Sequence, residues 1–106
     1  MLVVTRYQVS EDEADVEAFR RDAHAAMEVL SRRPGWIRGR LGRNTDDPGL
    51  WVLTTEWLNV GSYRRALSPY EVKLTAVPLL SRCIDEPTAY ELIDSLELPD
   101  GGPPVG

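Results

Sequence analysis

The 106-residue chain is short of the residues that staple, ligate or span. Its one cysteine, Cys83, excludes an internal disulfide and a cysteine-based zinc site. Its one histidine, His24, has no second His, Cys or acid at ligand spacing, so no cofactor is expected, neither metal nor haem. No stretch approaches the ~18 apolar residues of a membrane span. The N-terminal MLVVTRYQV lacks the basic region, long apolar run and cleavage site of a signal peptide, so the expected address is cytoplasmic, with no membrane partner. Positive charge is also scarce: Lys+Arg 12 against Asp+Glu 17 gives −5, which opposes the basic field of a nucleic-acid surface. From Asp85 onward six acids stand without a base. Only Lys73 of the 12 cations is lysine, a bias towards arginine that fits a GC-rich bacterial genome. A Gly-x-Ser-x-Gly nucleophile motif and a glycine-rich phosphate loop are both missing.

The residues that are present alternate and repeat in readable ways. LVVTRYQV, residues 2–9, is rich in β-branched and aromatic types and predicts a strand with Val3, Thr5, Tyr7 and Val9 towards the core. Ser10-Glu11-Asp12-Glu13 reads as a capping box opening a helix whose apolar stripe is Val16, Phe19, Ala23, Ala26, Met27 and Leu30. Arg32-Arg33 suits the helix dipole at its end, and Pro34-Gly35 stops it. Residues 36–44 predict a second strand, with Ile37, Gly39 and Leu41 on one face and Arg38 and Arg40 on the other. After the turn cluster of residues 45–49, Leu50–Trp57 predicts a third strand with Trp51, Leu53, Thr55 and Trp57 on one face. Asn59 can cap a helix over residues 60–67. Ser68-Pro69-Tyr70-Glu71 opens another, with Pro69 at its first position, and Pro78 should interrupt it before Leu79-Leu80. Thr88–Leu96 predicts a fourth strand, and the tail of residues 99–106, six of eight positions Pro or Gly, a flexible or draped end.

The order β-α-β-β-α-β predicts an α+β, ferredoxin-like fold for residues 1–98, a four-stranded antiparallel sheet with helices on one face. The other face would carry Val4, Arg6, Gln8, Arg38, Arg40, Val52, Thr54 and Glu56. It is either a solvated face or a dimer interface with Arg–Glu bonds across it.

Taken in order, VVTRYQV with its capped helix, RRPGW (32–36), TTEW (54–57), Tyr63 six residues after Trp57, and AVPLLSRCIDEPTAYELI resemble the antibiotic biosynthesis monooxygenase family. The resemblance implies a dimeric α+β barrel, hence a homodimer, with a pocket between sheet and helices in each subunit. It also implies, for one branch, oxidation of phenolic aromatics or quinols by dioxygen without metal or flavin. By matching position, Trp57 and Tyr63 would be the family's pocket tryptophan and tyrosine, and Tyr7 a polar pocket residue. Two departures stand out. Leu53 occupies the place where that branch has asparagine, and Val77 the place of its arginine. The haem-degrading branch needs a histidine between residues 62 and 82, where this chain has none.

Each candidate also has a plainer reading. Trp51 and Trp57 are either core or pocket wall, and Tyr63 and Tyr70 either helix-face packing or a phenol-orienting hydroxyl. His24, at the margin of the helix stripe, is a partly exposed structural residue or a pocket acid–base. Cys83 reads as a buried inert thiol, and Arg64-Arg65 as a solvated pair. The expected function is cofactor-independent oxygenation of an aromatic or quinol-like small molecule, with substrate contacts from Trp57, Tyr63, Tyr7 and Trp51. Tyr63 and His24 are the only catalytic candidates. The rival is a non-catalytic dimeric ligand-binding or accessory domain. A haem oxygenase lacks its ligand, and an RNA-binding domain of the same strand order lacks exposed aromatics in LWVLTTEW.

Overall fold

The computed structural model describes residues 1–99 and bears out the predicted order. Strand β1 spans Leu2–Gln8, helix α1 Glu13–Ser31, β2 Trp36–Arg43 and β3 Leu50–Trp57. Three short helices follow, α2 Val60–Ala66, α3 Tyr70–Thr75 and α4 Val77–Leu80, and then β4, Ala89–Tyr90. The sheet order is β2-β3-β1-β4, with every pairing antiparallel, which is the ferredoxin-like arrangement. Alternation does the sorting: Val3, Thr5 and Tyr7 of β1 and Trp51, Leu53, Thr55 and Trp57 of β3 all point to the helix-covered side and are buried. Helix α1 meets them with Phe19, Ala23, Ala26 and Leu30. Among the described residues, no helix is long and apolar enough to cross a membrane.

Several local expectations are corrected. The capping box does not form: Ser10 Oγ accepts from Asp12 N at 3.1 Å, making a turn, and Asp12 precedes the first helical residue without a side-chain bond. Glu13 and Asp15 complement the helix N-terminus, but Arg32 is the C-cap and the last turn holds no base. Gly35 takes φ +91°, the left-handed region where glycine is favoured, and an added Cβ would collide with Ser62 Cβ. Asn59 caps α2 as predicted, accepting from Ser62 N at 2.8 Å. Pro69 sits one position before α3 rather than inside it. Pro78 lies in the first turn of α4, where its missing N–H costs nothing, so the break falls at Ala76 and Leu79-Leu80 stay helical.

The largest correction in the sheet is at the start of β2. Trp36 pairs with Trp57 and Arg38 with Glu56, so Ile37 is the extra residue of a β-bulge. Ile37 is consequently exposed, and Trp36 takes the core-side place, its ring over Gly39, where an added Cβ would lie 2.5 Å from it. The fourth strand is also far shorter than residues 88–96. Its register pairs Val3 with Ala89 and Leu2 with Tyr90, so β1 is used up at that point. Beyond it Ile93, Leu96 and Leu98 are exposed. Upstream of β4 the contact continues, with Val4 N donating to Thr88 O and Ile84 N to Arg6 O, both at 2.7 Å. Arg6 holds Glu86 through two bonds of 2.7 and 2.6 Å. The tail expected to be flexible lies, from residue 100 on, outside the described residues.

Candidate functional site

Alternation along β3 puts Trp51 and Trp57 on the same face but six residues apart, about 20 Å at ~3.3 Å per residue. The structure therefore divides the predicted site residues between two aromatic groups. At the β3 C-terminal end, Trp57 is fully buried. Its ring lies edge-on to Trp36 (centroids 5.4 Å, 89°) and tilted against Tyr63 of α2 (5.6 Å, 54°). At the other end Tyr7 and Trp51 both contact Phe19 of α1, with centroids 5.1 and 5.5 Å apart. Such tilted and edge-on pairs place ring edges against ring faces, the favoured quadrupole geometry.

The polar atoms in this interior are tied mostly to one another. Trp57 Nε1 donates to Thr55 Oγ1 and Tyr7 Oη to Thr5 Oγ1, both at 2.9 Å, while Thr5 Oγ1 donates to Leu53 O at 3.3 Å. Burial pushes the Tyr7 hydroxyl up to about 12, with the Thr5 bond a smaller opposing influence. Burial likewise pushes Tyr63 up, and the nearby Cys83 thiol adds to it. Both tyrosines therefore stay protonated at neutral pH and can donate a hydrogen bond but not take up a proton. The Tyr63 hydroxyl makes no hydrogen bond with any described residue.

His24 belongs elsewhere. Its side chain is 72% exposed and lies 3.0 Å from Glu28, one turn along α1. It lines an open groove of about 650 Å³ between α1, β2 and β3 whose wall includes Trp51. A second groove of about 590 Å³ lies between the start of α2 and the chain around Tyr90. Neither is lined by Trp57, Tyr63 or Tyr7. Among the described residues, no three His, Cys, Asp or Glu side chains converge as metal ligands would. Tyr70 is largely exposed, and Cys83 is half-buried against the core near both interior tyrosines.

Sequence reasoning placed Phe19 in the core stripe of α1 and missed Trp36 and Arg43 as neighbours of the predicted site residues. Trp36 was hidden by the bulge, for which the only available sign was Gly39, a side-chain-free position three residues after a tryptophan. Arg43 Cζ stands 4.9 Å from the Trp51 ring centroid, a cation–π contact set up because Arg43 and Trp51 are register partners on the helix side of the sheet.

Residues 1–73 match the family model described as antibiotic biosynthesis monooxygenase. No curated protein matches the sequence. Among solved structures, a conserved protein from Methanosarcina mazei is 25% identical with a TM-score of 0.64, covering 83% of this chain and 84% of that one. A point mutant of SnoaB, a cofactor-independent oxygenase from Streptomyces nogalater, is 24% identical with a TM-score of 0.65, covering 78% and 82%. A protein from Mycobacterium tuberculosis is 16% identical and has a TM-score of 0.67 over 91% and 97%. The likenesses to SnoaB and the Mycobacterium protein are likenesses of fold. With the family match over most of its length, this chain belongs to the antibiotic biosynthesis monooxygenase family.

Proposed function

We propose that the protein is a cofactor-independent oxygenase of an aromatic or quinol-like small molecule, acting as a homodimer in a bacterial cytoplasm. The observation that carries this reading is Tyr63. Its hydroxyl is free of partners among the described residues and is backed by the rings of Trp57 and, behind it, Trp36, and burial pushes its ionisation still further above neutral pH. Family membership and the fold shared with the oxygenase SnoaB support it.

The chemistry asks little of the protein if the substrate supplies the electrons. In an anthrone-like substrate, a methylene joins two aromatic rings that are bridged on their other side by a carbonyl. Loss of a proton gives a carbanion delocalised onto the carbonyl oxygen, and this anion reduces dioxygen. The two C–H bonds become a carbonyl, four electrons pass to dioxygen, one oxygen atom stays in the product and the other leaves as water. Tyr63 would donate to the phenolic or carbonyl oxygen, favouring the anion and fixing the ring near dioxygen. Neither interior tyrosine can act as a base, so the substrate must be acidic enough to ionise with solvent as acceptor. That restricts it to anthrone-like or hydroquinone-like compounds.

A second reading, a dimeric ligand-binding domain without turnover, is favoured by Leu53. This residue is 1% exposed and apolar, where the aromatic-oxidising branch carries an asparagine. Oxygen uptake by metal- and flavin-depleted protein against a panel of anthrones and hydroquinones separates the two. The oxygenase reading expects uptake above the buffer rate, reduced about tenfold or more in Tyr63→Phe as one stabilising donor is lost. Saturable binding of the same compounds with uptake at the buffer rate would support the second reading.

A further inference from the structure

We propose that the groove between α1, β2 and β3 binds a small organic anion with a flat apolar body, such as an aromatic carboxylate. The inference is independent of the oxygenase reading. Helix α1 lends the groove Arg20, Arg21 and His24, β2 lends Leu41 and Arg43, and β3 lends Trp51. Glu17 is the one acid in its lining. Three guanidiniums therefore face one carboxylate in a chain whose net charge is −5. Among the described residues, none of the three guanidiniums lies within ion-pair distance of a carboxylate, a state they share with Arg33, Arg40, Arg64 and Arg65, while Arg6, Arg32, Arg38 and Arg82 each have an acidic partner. What sets these three apart is that they line one concavity with a single acid, which makes the groove locally positive on an acidic chain.

A second, independent observation lies in the wall of the same groove. Trp51 is 6% exposed, and its indole N–H is buried with no acceptor. Buried donors are nearly always paired, and this one has no acceptor among the described residues. The contrast with Trp57 on the same strand is direct, since that N–H is satisfied by Thr55. Arg43 lies over the Trp51 ring and bonds through its Nε to Pro48 O at 2.7 Å, which leaves its terminal nitrogens free. An anionic edge brought to the terminal nitrogens of Arg43 lies over the Trp51 ring, while the ligand's flat body can lie along Leu41 and Met27. The groove's volume of about 650 Å³ is in the range of small-molecule sites. Because it opens on the helix side, dimerisation through the opposite sheet face would leave it accessible.

The test uses naphthoate and its uncharged counterpart naphthalenemethanol, with the three indole N–H resonances followed in nitrogen–proton correlation spectra. The Trp51 resonance is identified by its loss in Trp51→Phe. Naphthoate should move the Trp51 resonance saturably and bind at least about tenfold more tightly than naphthalenemethanol, a preference that rising salt reduces. Replacing Arg20→Gln and Arg21→Gln together should weaken naphthoate about tenfold while the Trp36 and Trp57 resonances stay in place. The matching Arg20→Lys, Arg21→Lys pair should retain most of the binding. An unmoved Trp51 resonance, equal affinity for the two probes, or full affinity in the glutamine variant would each overturn the proposal.

Discussion

Tyr7 and Tyr63 share a chemical type and an environment, yet only the Tyr7 hydroxyl has a partner among the described residues. Tyr7 spends its proton on Thr5, whereas Tyr63 keeps its proton uncommitted. The raised ionisation of Tyr7 also has a signature in stability. Between its ordinary value of 10.0 and the folded value of about 12, the folded chain keeps a proton that the unfolded chain has lost, so stability falls as pH rises through that window. At about 1.4 kcal/mol per pH unit the loss is on the order of 2–3 kcal/mol, and Tyr63 adds in the same direction. Tyr7→Phe should cost about 1 kcal/mol at neutral pH through the missing Thr5 bond. It should also flatten the alkaline decline, as denaturant melts at several pH values would reveal. A decline identical to the parent's would remove Tyr7 as its source. Trp57→Phe should cost on the order of 1–3 kcal/mol in a urea melt, because Trp57 is fully buried and Thr55 would lose its donor. A change below about 0.5 kcal/mol, the size usual at surface positions, would show instead that the site tolerates the smaller ring as an open pocket wall does.

Elements marked by strict alternation were readable from sequence, as was the Asn59 cap, whereas the capping signatures at Ser10 and Ser68 formed no side-chain cap and features set by register were hidden. The buried set of β3, the apolar stripe of α1 and the Asn59 cap all follow from local spacing. Ile37 and Trp36 exchanged faces because one extra residue in β2 reverses parity, and parity counting cannot see an inserted residue. Thr88–Leu96 has the composition of a strand, but its length depends on how much of β1 remains to pair with it, which only the Leu2–Tyr90 register reveals. The two groups of site aromatics were inseparable in sequence for a related reason: a shared face says nothing about distance along the strand. The edge segment from Ile84 to Tyr90 is held by few backbone bonds, so the Arg6–Glu86 pair should matter to it. The Arg6 guanidinium holds the Glu86 carboxyl below its ordinary 4.5, so its contribution is present above that value and lost as pH falls through the lowered one. Glu86→Gln should speed amide hydrogen exchange at Ile84 and Val4 at neutral pH without affecting the centre of β3. Unchanged exchange at those two amides would show that the backbone bonds alone hold the segment.

At the scale of the whole molecule, one side of the sheet is covered by helices and the other by nothing in the described chain. Within the chain Arg6 is committed to Glu86, and Arg38 lies 3.9 Å from Glu56, while Arg40 has no carboxylate within ion-pair distance among the described residues. Between these charges lie the half-buried Leu2, Val4 and Val52, and Ile93, Leu96 and Leu98 stand exposed beyond β4. A small core and an apolar strip framed by arginines are the conditions under which a second copy adds stability. Sedimentation at micromolar concentration should therefore show a homodimer, and Arg40→Glu should shift the balance to monomer. A single species of 11.9 kDa would contradict this. The central claim concerns the fate of dioxygen, and it is tested most directly by turnover of an anthrone under dioxygen labelled with the heavy isotope, using metal- and flavin-depleted protein. Mass spectrometry should find one labelled oxygen atom in the new carbonyl and the other in water. Product formed at the rate of the protein-free control, or product whose oxygen comes from unlabelled water, would contradict the account.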